Sequence, residues 1–373
     1  MRKRIAILCI LPLLLCGCAV RGLLNFDSPK YQEVKVDEGT FDDKFYYEQL
    51  AESDQLIYRE IYQGVYEHTE EIIVHGTDGE HAGEIVRYIM YDFPEFFWID
   101  GSSTTVVYEG SHTVVQPTYT HAEAKCEAMQ SEIDKAADEI LAQVSNESDE
   151  YNKIKSIYEI LINNVVYVEG AAENQNIYSA LVTKESVCAG YAKANQYLLE
   201  KLGVYCIYVV GTADGESHAW NIVKCNETLY YVDATWGDPL FKGETQNEEI
   251  LYDFLCCNRE TIDSTHLEDT QYNYPKCEAN DLDYYRLNGM FYDNANKQTL
   301  LNAMYQTIDK KEGSTTFKFS DSETYQKASD LLINGLMENA ARYLCEKYNL
   351  RKVDCEYIEM TDLNRFVIYW KYK

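Results

Sequence analysis

The stretch between residues 186 and 236 constrains the fold of this 373-residue chain most. Within 46 residues it places a cysteine, a histidine and an aspartate in three short segments, at Cys188, His218 and Asp233. A thiol, an imidazole and a carboxylate are the parts of a nucleophile, its base and the group that orients the base. The sequence therefore favours a fold that brings these three segments to one place.

Cys188 is predicted to lie at the start of a helix. Ser186 is a candidate N-cap, and the helical pattern continues to Leu202, where Gly203 is a natural stop. In the first turn of a helix, the positive end of the dipole and the free backbone N–H groups favour a thiolate and can face a developing oxyanion. A buried structural cysteine is the alternative interpretation.

The strands that carry His218 and Asp233 are predicted to form a hairpin. If residues 224–227 make the turn, the numbers of facing residues add up to 451, and His218 faces Asp233. Directly opposed side chains have Cβ atoms ~4.5–5.5 Å apart, so that an imidazole can donate to a carboxylate. A turn displaced by one residue would replace this direct opposition with a diagonal contact. The alternatives are a half-buried polar histidine and an aspartate in a turn.

The motifs around these residues resemble the transglutaminase-like superfamily. In chain order they are YSAL at 178–181, VCAGYA at 187–192, HAWN at 218–221 and VDATWGDP at 232–239, followed by YDFL at 252–255 and then His266. The resemblance covers roughly residues 122–275 and implies an α+β fold with a papain-like core. In such a core a helix-borne cysteine packs on an antiparallel sheet that carries the histidine and the aspartate.

The resemblance also implies a role for each member of the trio. Cys188 would be the nucleophile that attacks a carboxamide or peptide carbonyl, His218 the base and acid, and Asp233 the orienting group. Protease, amidase and acyl-transfer activities share such a site, and the sequence leaves the choice among them open. A surface binding or scaffold protein that uses the same core as a frame is the alternative.

Three aromatic residues are further candidates for the site. Tyr178 and Tyr191 are candidates for shaping it or for donating a hydrogen bond to the oxyanion. Trp220 has the same strand parity as His218 and is a candidate wall of the pocket. Packing in the core is the alternative for all three residues.

The N-terminus has the pattern of a processing signal. Basic residues at 2–4, an apolar run from Ile5 to Leu15 and the sequence LCGC at 15–18 follow one another. This pattern resembles the bacterial lipoprotein signal, which implies cleavage after residue 17 and attachment of diacylglycerol to Cys18. An uncleaved membrane helix needs about 20 apolar residues, whereas residues 5–20 offer 16. We expect a lipid-anchored, extracytoplasmic protein in which residues 18–42 are a tether.

The net charge and the absence of cofactor motifs limit the kinds of partner that we expect for this protein. Without residues 1–17 the chain has 30 basic and 62 acidic residues, a net charge of −32. Such a surface repels phosphates, so we expect no nucleic acid partner and a membrane contact made by the lipid. We expect peptides, proteins or cell-wall peptides as substrates. No sequence pattern for a metal or organic cofactor is present, so we expect neither.

The twelve cysteines of the chain have no repeated spacing. Their pairing stays open at this point, because spacing alone does not define a disulfide framework. Cys206 lies inside the apolar run from residue 204 to residue 210, where a buried free thiol is the ordinary interpretation.

Two smaller α+β modules are predicted to flank the central domain of residues 122–275. Residues 43–121 and 280–373 share the element order αβαββ, which suggests an internal duplication. Apolar periodicity predicts single helices from Phe45 to about Glu71 and from Ser322 to Tyr348, and another near Glu249 to Cys257.

Overall fold

The computed structural model describes residues 30–108, 110–145, 149–238, 250–353 and 355–372. The expected signal of residues 1–17, Cys18 and the first part of the tether lie outside the described residues. Within the described ranges, every helix is too short or too polar to span a bilayer.

The N-terminal module packs three helices against a three-stranded antiparallel sheet with the order β1-β3-β2. Its elements are α1 (Phe45–Glu48), α2 (Glu52–Tyr66), β1 (Ile72–Val74), α3 (Gly79–Asp92), β2 (Ile99–Tyr108) and β3 (His112–Tyr119), after a 3₁₀ turn at Glu38–Phe41.

The single helix predicted from Phe45 onward is wrong, because the chain breaks between α1 and α2. Ala51, which precedes α2, has an extended backbone. The N–H groups of Tyr46 and Tyr47 donate to the buried carboxylate of Asp92, at 3.0 and 2.9 Å. These bonds fix α1 on the end of α3 in place of a continuous helix.

The central domain places helices against a four-stranded antiparallel sheet with the order β8-β7-β6-β9. Its helices are α4 (Glu123–Leu141), α5 (Glu150–Asn164), α6 (Cys188–Lys201), α7 (Ala234–Gly237) and α8 (Arg259–Ile262). Its strands are β4 (Val166–Tyr167), β5 (Glu185–Ser186), β6 (Cys206–Ala213), β7 (Glu216–Cys225), β8 (Thr228–Val232) and β9 (His266–Glu268). Helix α6 packs on β6 and β7. The predicted α+β class, with a helix-borne cysteine on an antiparallel sheet, is confirmed.

The helix predicted near Glu249 to Cys257 is wrong over the described part of that range. Only one 3₁₀ turn forms there, at Tyr252–Phe254. Cys257 and Tyr231 exchange two backbone hydrogen bonds of 2.9 and 3.0 Å, and the Phe254 carbonyl accepts one from Asp233 N–H at 2.9 Å. These bonds tie the segment to the end of β8 and take the place of helical ones.

The C-terminal module has a four-stranded sheet with the order β10-β11-β13-β12. Its elements are α9 (Tyr284–Leu287), β10 (Phe291–Tyr292), α10 (Lys297–Lys310), β11 (Ser314–Phe319), α11 (Ser322–Leu331), α12 (Met337–Tyr348), β12 (Cys355–Met360) and β13 (Arg365–Trp370). The single helix predicted from Ser322 is broken at Leu332–Leu336, because Gly335 has a φ of 134°.

The two flanking modules share a strand order. In each, the last strand of the αβαββ unit lies between the first and the second, as β1-β3-β2 and as β11-β13-β12. The predicted duplication requires in addition that the two units superpose, and in that respect it stays a prediction.

The buried apolar side chains of the described residues form two large clusters, besides a small one of Ala192, Tyr208 and Ala219. One extends from Phe41 to Cys277 and the other from Leu300 to Trp370. The N-terminal module and the central domain therefore share one continuous core. The predicted boundary between residues 121 and 122 lies where the sheet of the N-terminal module gives way to helix α4. The hydrophobic core continues across this boundary.

Eight cysteines in the described ranges are free thiols: Cys126, Cys188, Cys206, Cys225, Cys256, Cys257, Cys277 and Cys345. Cys206 is one of six among them that are buried, as the apolar run around it predicts. The described segments that carry these eight residues are held together without disulfides between them.

A buried ion-pair cluster joins the C-terminal module to the central domain. Asp253 accepts from the Nζ atom of Lys318 at 2.8 Å and pairs with Arg365 at 2.6 Å. The Tyr285 hydroxyl donates to the same carboxylate at 3.0 Å. Burial alone would raise the pKa of Asp253, but the charges of Arg365 and Lys318 hold it below its usual range. Because Asp253 precedes Phe254, the cluster also secures the segment that bonds to Asp233.

We predict that Asp253→Ala destabilises the protein strongly, because it leaves the buried Arg365 and the partly buried Lys318 without their counter-ion. Breaking a buried pair in this way costs ~3–5 kcal/mol. Asp309→Ala is the matched control, since Asp309 pairs with Lys347 on the surface and surface pairs contribute little. Urea unfolding of both variants measures the difference, and equal midpoints would contradict the prediction.

Candidate active site

The thiol of Cys188 lies at the first residue of α6 and is partly exposed. The N-cap is Val187, with an extended backbone, so the prediction of Ser186 as N-cap is wrong. The Ser186 hydroxyl instead hydrogen bonds to the Asn174 carbonyl at 2.9 Å and to the Ser179 hydroxyl at 2.6 Å. Its role is to hold the start of the helix against the preceding loop.

Gly190 allows this close approach of loop and helix. A Cβ atom on Gly190 would lie 1.9 Å from Ser186 Oγ and 3.0 Å from the carbonyl oxygens of Asn174 and Asn176. Only a residue without a side chain fits at this position. The glycine in the motif that follows Cys188 is therefore required by packing at the thiol.

His218 and Asp233 meet diagonally across the hairpin. The turn is the two-residue pair Asn226-Glu227, both with positive φ, and it sets Cys225 opposite Thr228. The residue numbers of paired positions therefore add up to 453 instead of the predicted 451. The predicted register is wrong, because the centre of the turn lies one residue later in the chain. Asp233 directly follows the end of β8. In this register His218 lies opposite residue 235, two positions beyond Asp233, so the side chains of His218 and Asp233 lie on the same face of the sheet. The predicted contact survives this shift, with 2.6 Å between His218 Nε2 and Asp233 Oδ2.

The Asp233 carboxylate is buried and accepts four hydrogen bonds. It is the N-cap of α7, and its Oδ1 atom accepts from the N–H groups of Thr235 and Trp236 at 2.8 and 3.1 Å. Its Oδ2 atom faces the Nε2 atoms of His218 and His266, at 2.6 and 3.0 Å. All four lone-pair positions of the carboxylate are thereby used.

This cluster determines the charge of the two central groups. Burial alone would raise the pKa of Asp233, but the charge and hydrogen bond of His218 hold it well below its usual range. Burial opposes the charged form of His218, yet Asp233 and a hydrogen bond with Cys188 raise its pKa to about 10. Because Nε2 of His218 is engaged by Asp233, Nδ1 is the nitrogen that serves the thiol.

His266 is a site residue that sequence reasoning did not assign. In the sequence, His266 is recognisable only as the residue that follows the YDFL motif, and that motif assigns it no role. Its neighbourhood depends on the pairing of β9 with β6, where His266 lies opposite Ala213. No local spacing rule connects residue 266 to residue 233, so only the sheet topology reveals the contact.

His218, Asp233 and His266 are also the one group in the described ranges with the arrangement of metal ligands. Their nearest nitrogen and oxygen atoms lie within 4.8 Å of one another. The same atoms already hydrogen bond to each other, and a cation would have to displace both imidazole protons. Hydrogen bonding therefore accounts for the arrangement of these three residues.

The three aromatic candidates lie behind or away from the thiol. The Tyr178 hydroxyl donates to Glu132 at 2.6 Å on α4, and the Tyr191 hydroxyl donates to the Val165 carbonyl at 2.7 Å. Trp220 is buried and stacks behind His218, with ring centroids 5.9 Å apart. None of the three lines the cleft around Cys188, so the packing alternative describes all of them.

Cys188 and His218 line a cleft of about 740 Å³. One wall comes from the N-terminal module, through Arg87 and Tyr91 on α3. The segment of residues 267–272, which begins within β9, also lines the cleft. Gln175 and Tyr208 complete the lining near the thiol. The flanking module is therefore part of the cleft, a contribution that the sequence did not predict.

Comparison with known proteins identifies the central domain. Residues 137–236 match the transglutaminase-like superfamily, and this range contains all three members of the trio. The chain thus contains a transglutaminase-like domain, and the family predicted from its motifs is confirmed. No curated protein matches the chain.

Solved structures with partial likeness include a TGase, with 15% identity, a TM-score of 0.27, and coverage of 40% of this chain and 46% of that chain. A proposed cysteine protease from Cytophaga hutchinsonii has 16% identity, a TM-score of 0.26, and coverage of 37% and 63%. Menin has 11% identity, a TM-score of 0.27, and coverage of 78% and 61%. The chain spans less than two thirds of each of these structures.

We predict that Asp233→Asn lowers the pH at which His218 loses its proton. Asn keeps the N-cap function but removes the charge, so burial dominates and the midpoint falls from about 10 by ~1–3 units. The rates at which iodoacetate and iodoacetamide alkylate Cys188, compared from pH 5 to 10.5, measure this midpoint, because an imidazolium attracts only the charged reagent. An unchanged midpoint in the variant would contradict the assignment of Asp233.

Proposed function

We propose that this protein is a thiol enzyme that acts on amide bonds of peptides, proteins or cell-wall peptides. The observation that carries the proposal is that a partly exposed thiol and a buried imidazole line the same open cleft, and that this imidazole lies 2.6 Å from a buried carboxylate. Cys188 is the nucleophile, His218 the base and acid, and Asp233 the group that orients His218. This arrangement has the geometry of a nucleophile–base–orienter triad.

The reaction begins with transfer of the Cys188 proton to His218. The thiolate then attacks the carbonyl carbon of the amide, and the C–N bond breaks as His218 protonates the leaving amine. The product is a thioester on Cys188. Water releases an acid from the thioester, whereas a second amine forms a new amide bond, and in each case His218 accepts a proton from the attacking group.

The helix start supplies stabilisation for the oxyanion. The first N–H groups of α6, at Cys188 and Ala189, have no carbonyl partner within the helix. Gln175 lines the cleft beside Cys188 and adds a side-chain amide within the same space. These groups take the role for which Tyr178 and Tyr191 were candidates.

The cleft accommodates a short peptide segment. Its volume of about 740 Å³ lies within the ~300–1,000 Å³ that is usual for ligand sites. Tyr91, Tyr208 and Tyr272 give the cleft aromatic surface, whereas Arg87 and Asp269 add one charge of each sign to its lining. Such a lining suits a polar peptide with an amide bond held over Cys188.

We expect iodoacetamide to label Cys188 at neutral pH at least about tenfold faster than a free thiol, because His218 can accept the thiol proton as the sulfur reacts. His218→Ala should reduce the rate to the level of a free thiol, and Cys188→Ala should abolish labelling at this site. His81→Ala, on the surface of α3, is the control for loss of an imidazole. Mass spectrometry of the peptide that contains Cys188 measures each rate.

Two outcomes of this experiment would support different conclusions. A slow reaction of Cys188 that is indifferent to His218 would remove the basis of the enzyme proposal and favour a binding or scaffold protein built on the same core. A fast, His218-dependent reaction leaves hydrolysis and transfer to be separated. Incorporation of a fluorescent primary amine into cell-wall peptides indicates transfer, and shortened peptides indicate hydrolysis.

The proposed location is the outer face of a membrane, with Cys18 as the lipid-bearing residue. The basic start, the short apolar run and the LCGC sequence support it. The net charge of −32 after cleavage disfavours both nucleic acid and an anionic lipid surface as direct partners.

We predict that Cys18→Ser abolishes lipid attachment, because a hydroxyl does not replace the thiol in this modification. Cys16→Ser is the matched control, two residues earlier in the same segment. Radiolabelled fatty acid should label the wild type and the control in a bacterial host, and both should sediment with membranes. Lipid labelling of the Cys18→Ser chain would assign the anchor elsewhere.

A further inference from the structure

A second imidazole contacts the oxygen of Asp233 that faces His218. His266 is 1% exposed, and its Nε2 atom lies 3.0 Å from Asp233 Oδ2. Nε2 of His218 lies 2.6 Å from that same atom. One carboxylate oxygen is therefore shared by two buried histidines.

Hydrogen bonds engage both ring nitrogens of His266. Asp233 is ionised and accepts only, so Nε2 of His266 carries a proton and donates it to Oδ2. On the other side of the ring, Nδ1 hydrogen bonds with the hydroxyl of Thr265 at 2.7 Å. The ring of His266 is therefore held from both sides.

Aromatic side chains enclose His266 and separate it from the cleft. Its ring centroid lies 5.0 Å from that of Trp220, 4.8 Å from Trp236 and 5.6 Å from Phe254. His218 lines the cleft, whereas His266 does not. His266 therefore acts on the reaction through Asp233 without contact with substrate.

The depth of His266 is determined by close packing of its strand. A Cβ atom on Gly211 of β6 would lie 2.1 Å from the Leu267 carbonyl oxygen and 2.8 Å from the Trp220 ring. Strand β9 therefore lies as near to β6 as a glycine permits. This contact places His266 within hydrogen-bond distance of Asp233.

We propose that His266 is a positioning residue that clamps Asp233 through the oxygen shared with His218 and reduces the carboxylate charge that acts on His218. The inference rests on the proposed function. Asp233 alone would hold the proton on His218 more tightly, and that proton must be released to the leaving amine. The second donor thus favours proton transfer while it fixes the orientation of the carboxylate.

Few other titratable groups face this cluster. They are Cys188 on α6, Tyr158 on α5, Tyr167 on β4 and Cys257 in the segment before α8. Burial raises the pKa of Tyr167 to about 12 and raises those of Tyr158 and Cys257 well above their usual values. These raised pKa values favour the neutral forms of all three groups, so they add no charge beside His218 and Asp233.

The test compares His266→Phe, which removes the donor and keeps a ring, with His266→Gln, which keeps an N–H donor. The first readout is the proton NMR signal of the imidazole N–H groups bonded to Asp233. We expect two downfield signals in the wild type, both absent in Asp233→Ala. In His266→Phe one is lost and the other moves further downfield, whereas in His266→Gln the remaining signal stays near its wild-type position.

The second readout is the pH midpoint of the iodoacetate-to-iodoacetamide rate ratio at Cys188. We expect this midpoint to rise by ~0.5–1 unit in His266→Phe, because the carboxylate charge then acts on His218 alone. It should change by less than about 0.3 unit in His266→Gln, which retains a donor. Thr265→Val leaves His266 in place and should give a smaller rise, so the proposal stays testable if His266→Phe does not fold.

The proposal is overturned if the phenylalanine and glutamine variants have the same signal position and the same midpoint, since His266 would then only fill space. It is also overturned if both variants match the wild type. Failure of the proposed function is seen separately, as a wild-type Cys188 that reacts no faster than a free thiol.

Discussion

The structure depends on the burial of one carboxylate. Asp233 has no access to water, and a charge there is tolerated only because two backbone N–H groups and two imidazoles satisfy its oxygens. These four donors come from three parts of the fold: both N–H groups from the start of α7, and one imidazole each from strands β7 and β9. Because the Asp233 carboxylate needs all of these hydrogen bonds, it determines the relative positions of α7, β7 and β9.

The same requirement links the site to both flanking modules. The backbone N–H of Asp233 donates to the Phe254 carbonyl, and the neighbouring Asp253 pairs with Lys318 and Arg365 of the C-terminal module. On the other side, α3 of the N-terminal module lines the cleft. The C-terminal module thus secures the segment that bonds to Asp233, whereas the N-terminal module lines the cleft beside Cys188.

Local patterns in the sequence were sufficient to find the parts of the site. The helix that begins at Cys188 and the strands that carry His218 and Asp233 are short segments with clear apolar periodicity, and their motifs identified the family. The hairpin register was wrong because Asn226 and Glu227 both adopt positive φ, which is unusual for glutamate. The contact was nevertheless predicted correctly, because successive side chains of a strand point to opposite faces. The corrected register moves the position opposite His218 by two residues, which leaves His218 and Asp233 on the same face of the sheet.

Local sequence patterns could not predict contacts between segments that are distant in the sequence. His266 reaches Asp233 only because β9 pairs with β6, and Arg87 and Tyr91 reach the cleft only because the N-terminal module shares its core with the central domain. Both contacts are set by packing across more than thirty residues of sequence. Cys188, His218 and Asp233 could therefore be found from local sequence patterns, whereas His266 and the residues of the N-terminal module that line the cleft are brought to the site by the tertiary fold.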